Sequence, residues 1–264
     1  MTAASTAATV LRRLGVTAAA LVLAVVLWAV FLEVAGISPL IGKRPWDVFA
    51  FFVTDDTAAE NRRLIADGLA VTVRDAGIGY LVGLVFAFLL AVLFSMSPAL
   101  ERIVMPTAMV LRSIPLIVLT PLISLIFGIG LGGVTAIVII VVFLPALANI
   151  LYGLRSVPAE QHDLVTAYGG NAFTLLRTVS IPTAVPSLLA SARVSIPSAV
   201  TGAMIGEWLS TGEGLGGIIS RASGSFSYDQ MWAAAVTVAG VTVLAYAVVS
   251  VVDTLVTDRL GETR

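Results

Sequence analysis

The residues of this sequence that are able to do chemistry are few, and their spacing argues against most kinds of it. Gly212, Gly214, Gly216 and Gly217 are spaced somewhat like a phosphate-cradling loop. No strand pattern precedes them and no Gly-Lys-Ser/Thr occurs anywhere, so they read as a flexible loop with tight turns, and ATP hydrolysis by this chain itself is not expected. Glu207 and Glu213 are the nearest pair of carboxylates. General acid–base work needs two acids converging in a dry pocket, and these two stand in or beside a stretch that reads as a solvated loop. A serine nucleophile would need a base, and the single histidine, His162, lies on a distant polar passage. With no cysteine in the chain, disulfides and thiolate chemistry are absent, and no metal site is expected from one histidine.

The elements that must position these residues are oily. The chain has 264 residues, 58% hydrophobic and 12% charged, where an average soluble domain carries about 25% charged residues. That composition belongs to an integral membrane protein. A net charge of −1 offers no footprint for nucleic acid, and no polybasic segment for anionic lipid is present. Apolar runs predict an all-α, polytopic protein with six transmembrane helices, at about 15–34, 69–94, 103–129, 133–151, 182–205 and 231–256. The first is too long for the core of a signal peptide and reads as a retained span anchored by Arg12 and Arg13. Trp28 on it reads as lipid-facing bulk or an interface residue. Residues 37–67 form the longest polar connection, with short interfacial helices expected, and 206–230 is a Gly- and Ser-rich link.

Four features distinguish the spans from plain lipid anchors. Gly77, Gly79 and Gly83 give span 2 the small-residue spacing that lets helices approach closely in a membrane. Pro106, Pro115 and Pro121 interrupt span 3, and each internal proline frees a carbonyl that only protein or a water-filled cavity can satisfy, so span 3 reads as a path-lining helix. Span 5 is the least oily, with Pro186, Pro197, Ser195, Ser198 and Thr201. Ionisable groups inside spans are costly, which singles out Arg112 and, more weakly, Asp253. Arg112 either caps carbonyls near Pro115, snorkels to an interface, or meets an anionic group on a substrate. The candidate path residues are therefore Arg112, Pro115, Thr120, Ser195, Ser198, Thr201 and Glu207.

The passage from Asp163 to Pro182 is polar and protrudes from this pattern. A short helix over 159–167 would carry Leu164, Val165 and Tyr168 on an apolar side and Glu160 and Asp163 on a polar one. Gly169 and Gly170 would stop it, and a second helix over 172–179 would lead into Pro182. Such an element can dock in a partner's groove. Asp163, then Gly169 six residues on, then nine residues and Val-Ser-Ile-Pro up to Pro182, matches a known register. It resembles the Glu-Ala-Ala, three residues, Gly, nine residues, Ile-x-Leu-Pro signature of membrane subunits of ATP-binding-cassette importers. Asp163 replaces the glutamate, Leu164 and Val165 the two alanines, and Val179 and Ile181 the isoleucine and leucine. Pro106, Arg112-Ser113-Ile114-Pro115 and Pro121 are similar to the R-P-I-P…P passage of the taurine, sulfonate and nitrate branch, as are Gly206-Glu-Trp-Leu209 and Gly214-Leu-Gly216.

The resemblance implies a single permease domain over 1–264, with an N-terminal span and external loop in 1–66, an importer core in 67–260 and a coupling loop in 157–182. It implies a homodimer of this chain, two cytoplasmic ATPase subunits that hold the ATP and Mg, and an extracytoplasmic solute-binding protein. It also implies a multi-pass place in a bacterial cell (inner/plasma) membrane with both termini cytoplasmic. No cofactor is expected on the chain itself. Positive charge alone is nearly even, with Arg12, Arg13, Arg102, Arg155, Arg177, Arg259 and Arg264 on the terminal face against Lys43, Arg44, Arg62, Arg63, Arg74 and Arg221. The coupling residues would be Glu160, Asp163, Leu164, Val165, Tyr168, Gly169 and Pro182, and the solute small and anionic or zwitterionic, such as a sulfonate or nitrate. A stand-alone secondary transporter or channel is the alternative, although no repeated pair of broken helices is evident.

Overall fold

The computed structural model describes residues 3–262, with side chains described at 15, 19, 20 and 22–257. Helices account for nearly all of these residues, and no strand occurs among them. In order they are α1 (Ala3–Val34), α2 (Pro45–Val53), α3 (Ala58–Met96), α4 (Pro98–Ser113), α5 (Leu116–Phe127), α6 (Leu131–Arg155), α7 (Ala159–Ala167), α8 (Ala172–Leu175), α9 (Ile181–Gly206), α10 (Gly214–Gly224) and α11 (Tyr228–Glu262). Wide π-turns at Leu176–Ser180 and Glu207–Thr211 bracket α9, so that helix runs without interruption from Ala172 to Thr211.

Among the described residues four helices are long and apolar enough to cross a membrane, or five if α4 and α5 form one broken span. The first of the six expected spans is not among these, because part of it lies outside the described side chains. Of the first expected span, the apolar stretch within the described side chains is only Val22–Val34. Arg12, Arg13, Arg259 and Arg264, assigned to one membrane face, lie outside the described side chains. The third expected span is not one helix. Pro115 forces Ile114 into an extended conformation (φ −83°, ψ 126°), α4 ends at Ser113, and the axes of α4 and α5 meet at 109°.

The chain folds as two units, Met1–Leu64 with Ala222–Ala233, and Ile65–Arg221 with Ala234–Arg264. In the first, Pro45 opens α2 where its missing N–H is no loss, and Asp47 accepts the Arg44 N–H at 2.8 Å. Arg44 reaches Glu33 at 2.7 Å and Lys43 reaches Asp229 at 2.9 Å. Trp28 is not free lipid-facing bulk: its ring stacks on Trp232 with centroids 5.3 Å apart, and the Trp232 indole N–H donates to the Ile41 carbonyl at 2.8 Å.

In the second unit α6 is central, with Val134, Ile137, Val138, Val142, Ala146, Leu147 and Ile150 fully buried. α9 packs along it through Ala199, Gly202 and Ala203, and α3 through Ala76, Gly79 and Gly83. A Cβ on Gly79 would sit 2.4 Å from Val138 Cβ, so the small-residue stripe is a requirement of close packing. Gly77, named with it, meets nothing within 4 Å and is not part of that contact.

Candidate functional site

The polar passage forms a helix–turn–helix that stands off the bundle. Pro158 caps α7, its carbonyl accepting from the N–H groups of Gln161 and His162. The end of α7 is a double glycine stop: Gly169 adopts φ +76° and donates to the Thr166 carbonyl, and Gly170 donates to the Val165 carbonyl, both at 2.9 Å. A Cβ on Gly170 would meet Val165 Cγ1 at 2.5 Å, so both glycines are needed, one for its dihedral and one for space. Asn171 then caps α8, its Oδ1 accepting the Thr174 N–H at 2.9 Å. The second helix does not end before Pro182. The π-turn at Leu176–Ser180 carries it into α9, so the turn at Gly169 is mechanically continuous with the span.

What this element presents is apolar and unsheltered. Leu164 is 58% exposed, Tyr168 86% and Phe173 58%. Val165 departs from the expected apolar face, being half-buried against Gly170. Glu160 and Asp163 point to solvent, the latter beside His162 at 3.6 Å. A crevice of about 440 Å³ separates α7 from the ends of α3 and α6, lined by Met96, Leu154, His162, Asp163, Leu176 and Ser180. Beside it, Arg155 pairs with Glu101 and ties the end of α6 to the start of α4.

The candidate path residues stand mainly on two elements, Arg112, Pro115 and Thr120 around the α4–α5 break and Ser195, Ser198 and Thr201 on α9. Arg112 sits exposed in the last turn of α4 with no ion pair or hydrogen bond among the described residues, and Pro115 forms the break behind it. Thr120 is fully buried and donates to the Leu116 carbonyl at 2.9 Å, and Thr201 donates to the Pro197 carbonyl at 2.8 Å. Each hydroxyl bonds back to the carbonyl four residues earlier on its own helix, as hydroxyls in lipid-spanning helices do. Ser195 is buried, and Ser198 is half-buried on α9.

Glu207 is neither solvated nor open to a pathway. It is wholly buried, and its Oε2 accepts from the Thr72 hydroxyl and the Gly216 N–H, each at 2.8 Å. Sequence reasoning also passed over Arg193, in the middle of α9. Its guanidinium meets Asp253 of α11 at 3.1 Å and lies over the Tyr246 ring. The signal for it was present: Asp253, an acid inside an apolar span, needs a cation from another span.

Residues 79–262 match the family described as the binding-protein-dependent transport system inner membrane component. The chain belongs to that family. As a member it is a transport component of the membrane rather than an enzyme. It is 28% identical to a probable ABC transporter permease protein of Haemophilus influenzae over 67% of this chain and 72% of that one. It is 33% identical to the riboflavin transport system permease RibX of Chloroflexus aurantiacus over 59% of this chain and 58% of that one. It is 25% identical to a putative aliphatic sulfonates permease, SsuC, of Bacillus subtilis, over 58% and 56%. With RibX and SsuC, the matched segment is thus less than two thirds of the relative's own length. Among solved structures, the inward-facing MetNI methionine ABC transporter aligns with a TM-score of 0.60 at 22% identity, over 76% of this chain and 98% of that chain. That likeness shows the fold. The matched family segment begins within α3 at Gly79 and contains α4 to α10, so α7, α8 and their glycine stop lie wholly inside it.

Proposed function

We propose that two copies of this permease enclose the path of a small solute, and that separate cytoplasmic ATPase subunits drive the path open and shut by gripping α7 and α8. The observation that carries this reading is the exposed Leu164, Tyr168 and Phe173 on a capped helix–turn–helix whose second helix runs without a break into α9. Large apolar side chains outside lipid on a protruding helix call for a protein groove. ATP and Mg belong to the partner, because this chain has no Gly-Lys-Ser/Thr loop to hold them. Both termini and the 157–182 passage then face the cytoplasm, and a solute-binding protein delivers from the other side. Asp163 would make the acidic contact that a glutamate makes elsewhere, with a shorter reach.

The break at Ser113–Pro115 and the proline-bearing α9 are the parts suited to line the path, with Arg112 facing an anionic or zwitterionic solute. Sulfonate permeases among the relatives support that choice, while the riboflavin permease shows that related chains carry uncharged ring systems as well. The test is direct. Extracted in detergent, the chain is expected to co-purify with an ATP-binding-cassette ATPase and, in proteoliposomes, to move solute only with ATP. Transport without ATP and without an associated ATPase would instead support the stand-alone transporter.

A further inference from the structure

The start of α10 poses an accounting problem that two distant residues solve. The first N–H groups of a helix have no partner within it. Here the Leu215 N–H donates to the Thr72 hydroxyl of α3 at 2.9 Å, and the Gly216 N–H donates to Glu207 Oε2 at 2.8 Å. The Thr72 hydroxyl in turn donates a hydrogen bond to the same carboxylate oxygen, so a closed triangle links α3, the π-turn after α9, and α10. Thr72 and Glu207 are both buried. Space around the triangle is reserved by glycine: a Cβ on Gly214, whose φ is +64°, would lie 2.3 Å from the Glu207 carboxyl, and one on Gly216 would lie 2.8 Å from Glu207 Cβ. On the other side of Thr72, Gly68 admits Ile218 and Leu215.

We propose that Thr72 and Glu207 are positioning residues of the transport cycle, capping α10 from outside so that α3, the end of α9 and α10 move as one body. This rests on the permease reading above. A buried carboxylate is a poor device for stability alone, since apolar packing usually serves as well at lower cost. Glu207 Oε1 has no hydrogen-bond partner, so the group is not even fully satisfied. Its two bonds fix directions that packing would leave loose. Because α9 is continuous with the 172–180 passage, the body at its far end inherits whatever displacement the ATPase imposes on α7 and α8.

The chain has no cysteine, so nitroxide labels on Ala66→Cys in α3 and Ser220→Cys in α10 report one distance. In nanodiscs, with the ATPase subunits bound, the otherwise native protein gives a single narrow distance, the same without nucleotide and with ATP and vanadate. Thr72→Val, which keeps shape but removes donor and acceptor, makes that distance broad and nucleotide-dependent. It also raises amide exchange over residues 214–217 by about tenfold, the loss of a hydrogen bond or two, with ATP turnover within about twofold of native. Thr72→Ser restores both readings. A Thr72→Val distance that stays narrow in both states overturns the proposal, as does an otherwise native protein whose distance changes with nucleotide. So does a loss of thermal stability and turnover together with no slack between the labels, which marks a merely structural cap. If no ATPase associates, the permease reading fails and the transport role with it, while the exchange comparison still decides whether the cap exists.

Discussion

Replacing Gly169 by valine isolates the glycine stop from every other feature of the protein. No atom lies within 4 Å of a Cβ built there, so no clash enters. The cost is conformational: holding a side-chain-bearing residue at φ +76° takes about 1–2 kcal/mol. Opening the turn instead gives up the bonds from Gly169 to Thr166 and from Gly170 to Val165, about 0.5–1.5 kcal/mol each. Both routes cost a similar amount, and at about 1.4 kcal/mol per tenfold the docking-ready turn becomes about 5- to 30-fold rarer. None of this touches the buried face of α6, so insertion and yield should stay native. The assay is the amount of ATPase retained on affinity-purified chain, with ATP-driven transport in proteoliposomes alongside. Asparagine tolerates the left-handed region better than alanine although it is larger. The expected order is therefore Gly169, then Gly169→Asn, Gly169→Ala and Gly169→Val. A loss that follows side-chain size, with Asn worse than Ala, or a Gly169→Val protein that binds and couples like native, would refute the reasoning.

Three further expectations concern the bundle. Gly79→Val should overpack α3 against Val138 and lower stability by about 1–3 kcal/mol, with Val138→Ala restoring part of it, read by thermal unfolding in detergent. Arg193→Ala should destabilise by about 1–3 kcal/mol, less than a fully buried pair because the arginine is about one third exposed, and the exchange Arg193→Asp with Asp253→Arg should recover most of it. Arg112→Gln should leave ATPase binding and yield intact while lowering the transport rate of an anionic solute at least about fivefold, the loss of one charge-assisted hydrogen bond; equal rates for native and variant would place Arg112 outside the path.

Hydropathy found the cores of the helices that cross lipid but not all of their ends: 133–151 became Leu131–Arg155, whereas 69–94 became Ala58–Met96 and 182–205 became the middle of a helix that runs from Ala172 to Thr211. Long apolar runs have no other stable form in a membrane, while their polar extensions carry no hydropathy signal. The glycine stop after α7 was equally legible, being local chemistry. What escaped was either a choice among allowed outcomes or a pairing between distant elements. A proline in a span permits a kink or a break, and nothing in Arg112–Pro115 told a kinked span from the 109° bend. The Trp28–Trp232 stack and the Arg193–Asp253 pair join residues far apart in the chain, beyond any periodicity. Glu207 misled because glycine-rich sequence follows it. The helix in fact continues to Thr211, and glycines at 214 and 216 are there to make room for the carboxyl.

The central claim is that an ATPase grips the exposed face of α7. A photo-reactive benzoylphenylalanine in place of Tyr168, which is 86% exposed, tests it in the intact membrane. Irradiation should attach the permease to an ATP-binding-cassette ATPase subunit, and a Leu164→Asp change in the same protein should abolish the product. Cross-linking only to lipid, or to no protein, from a chain that is still actively transporting would contradict it.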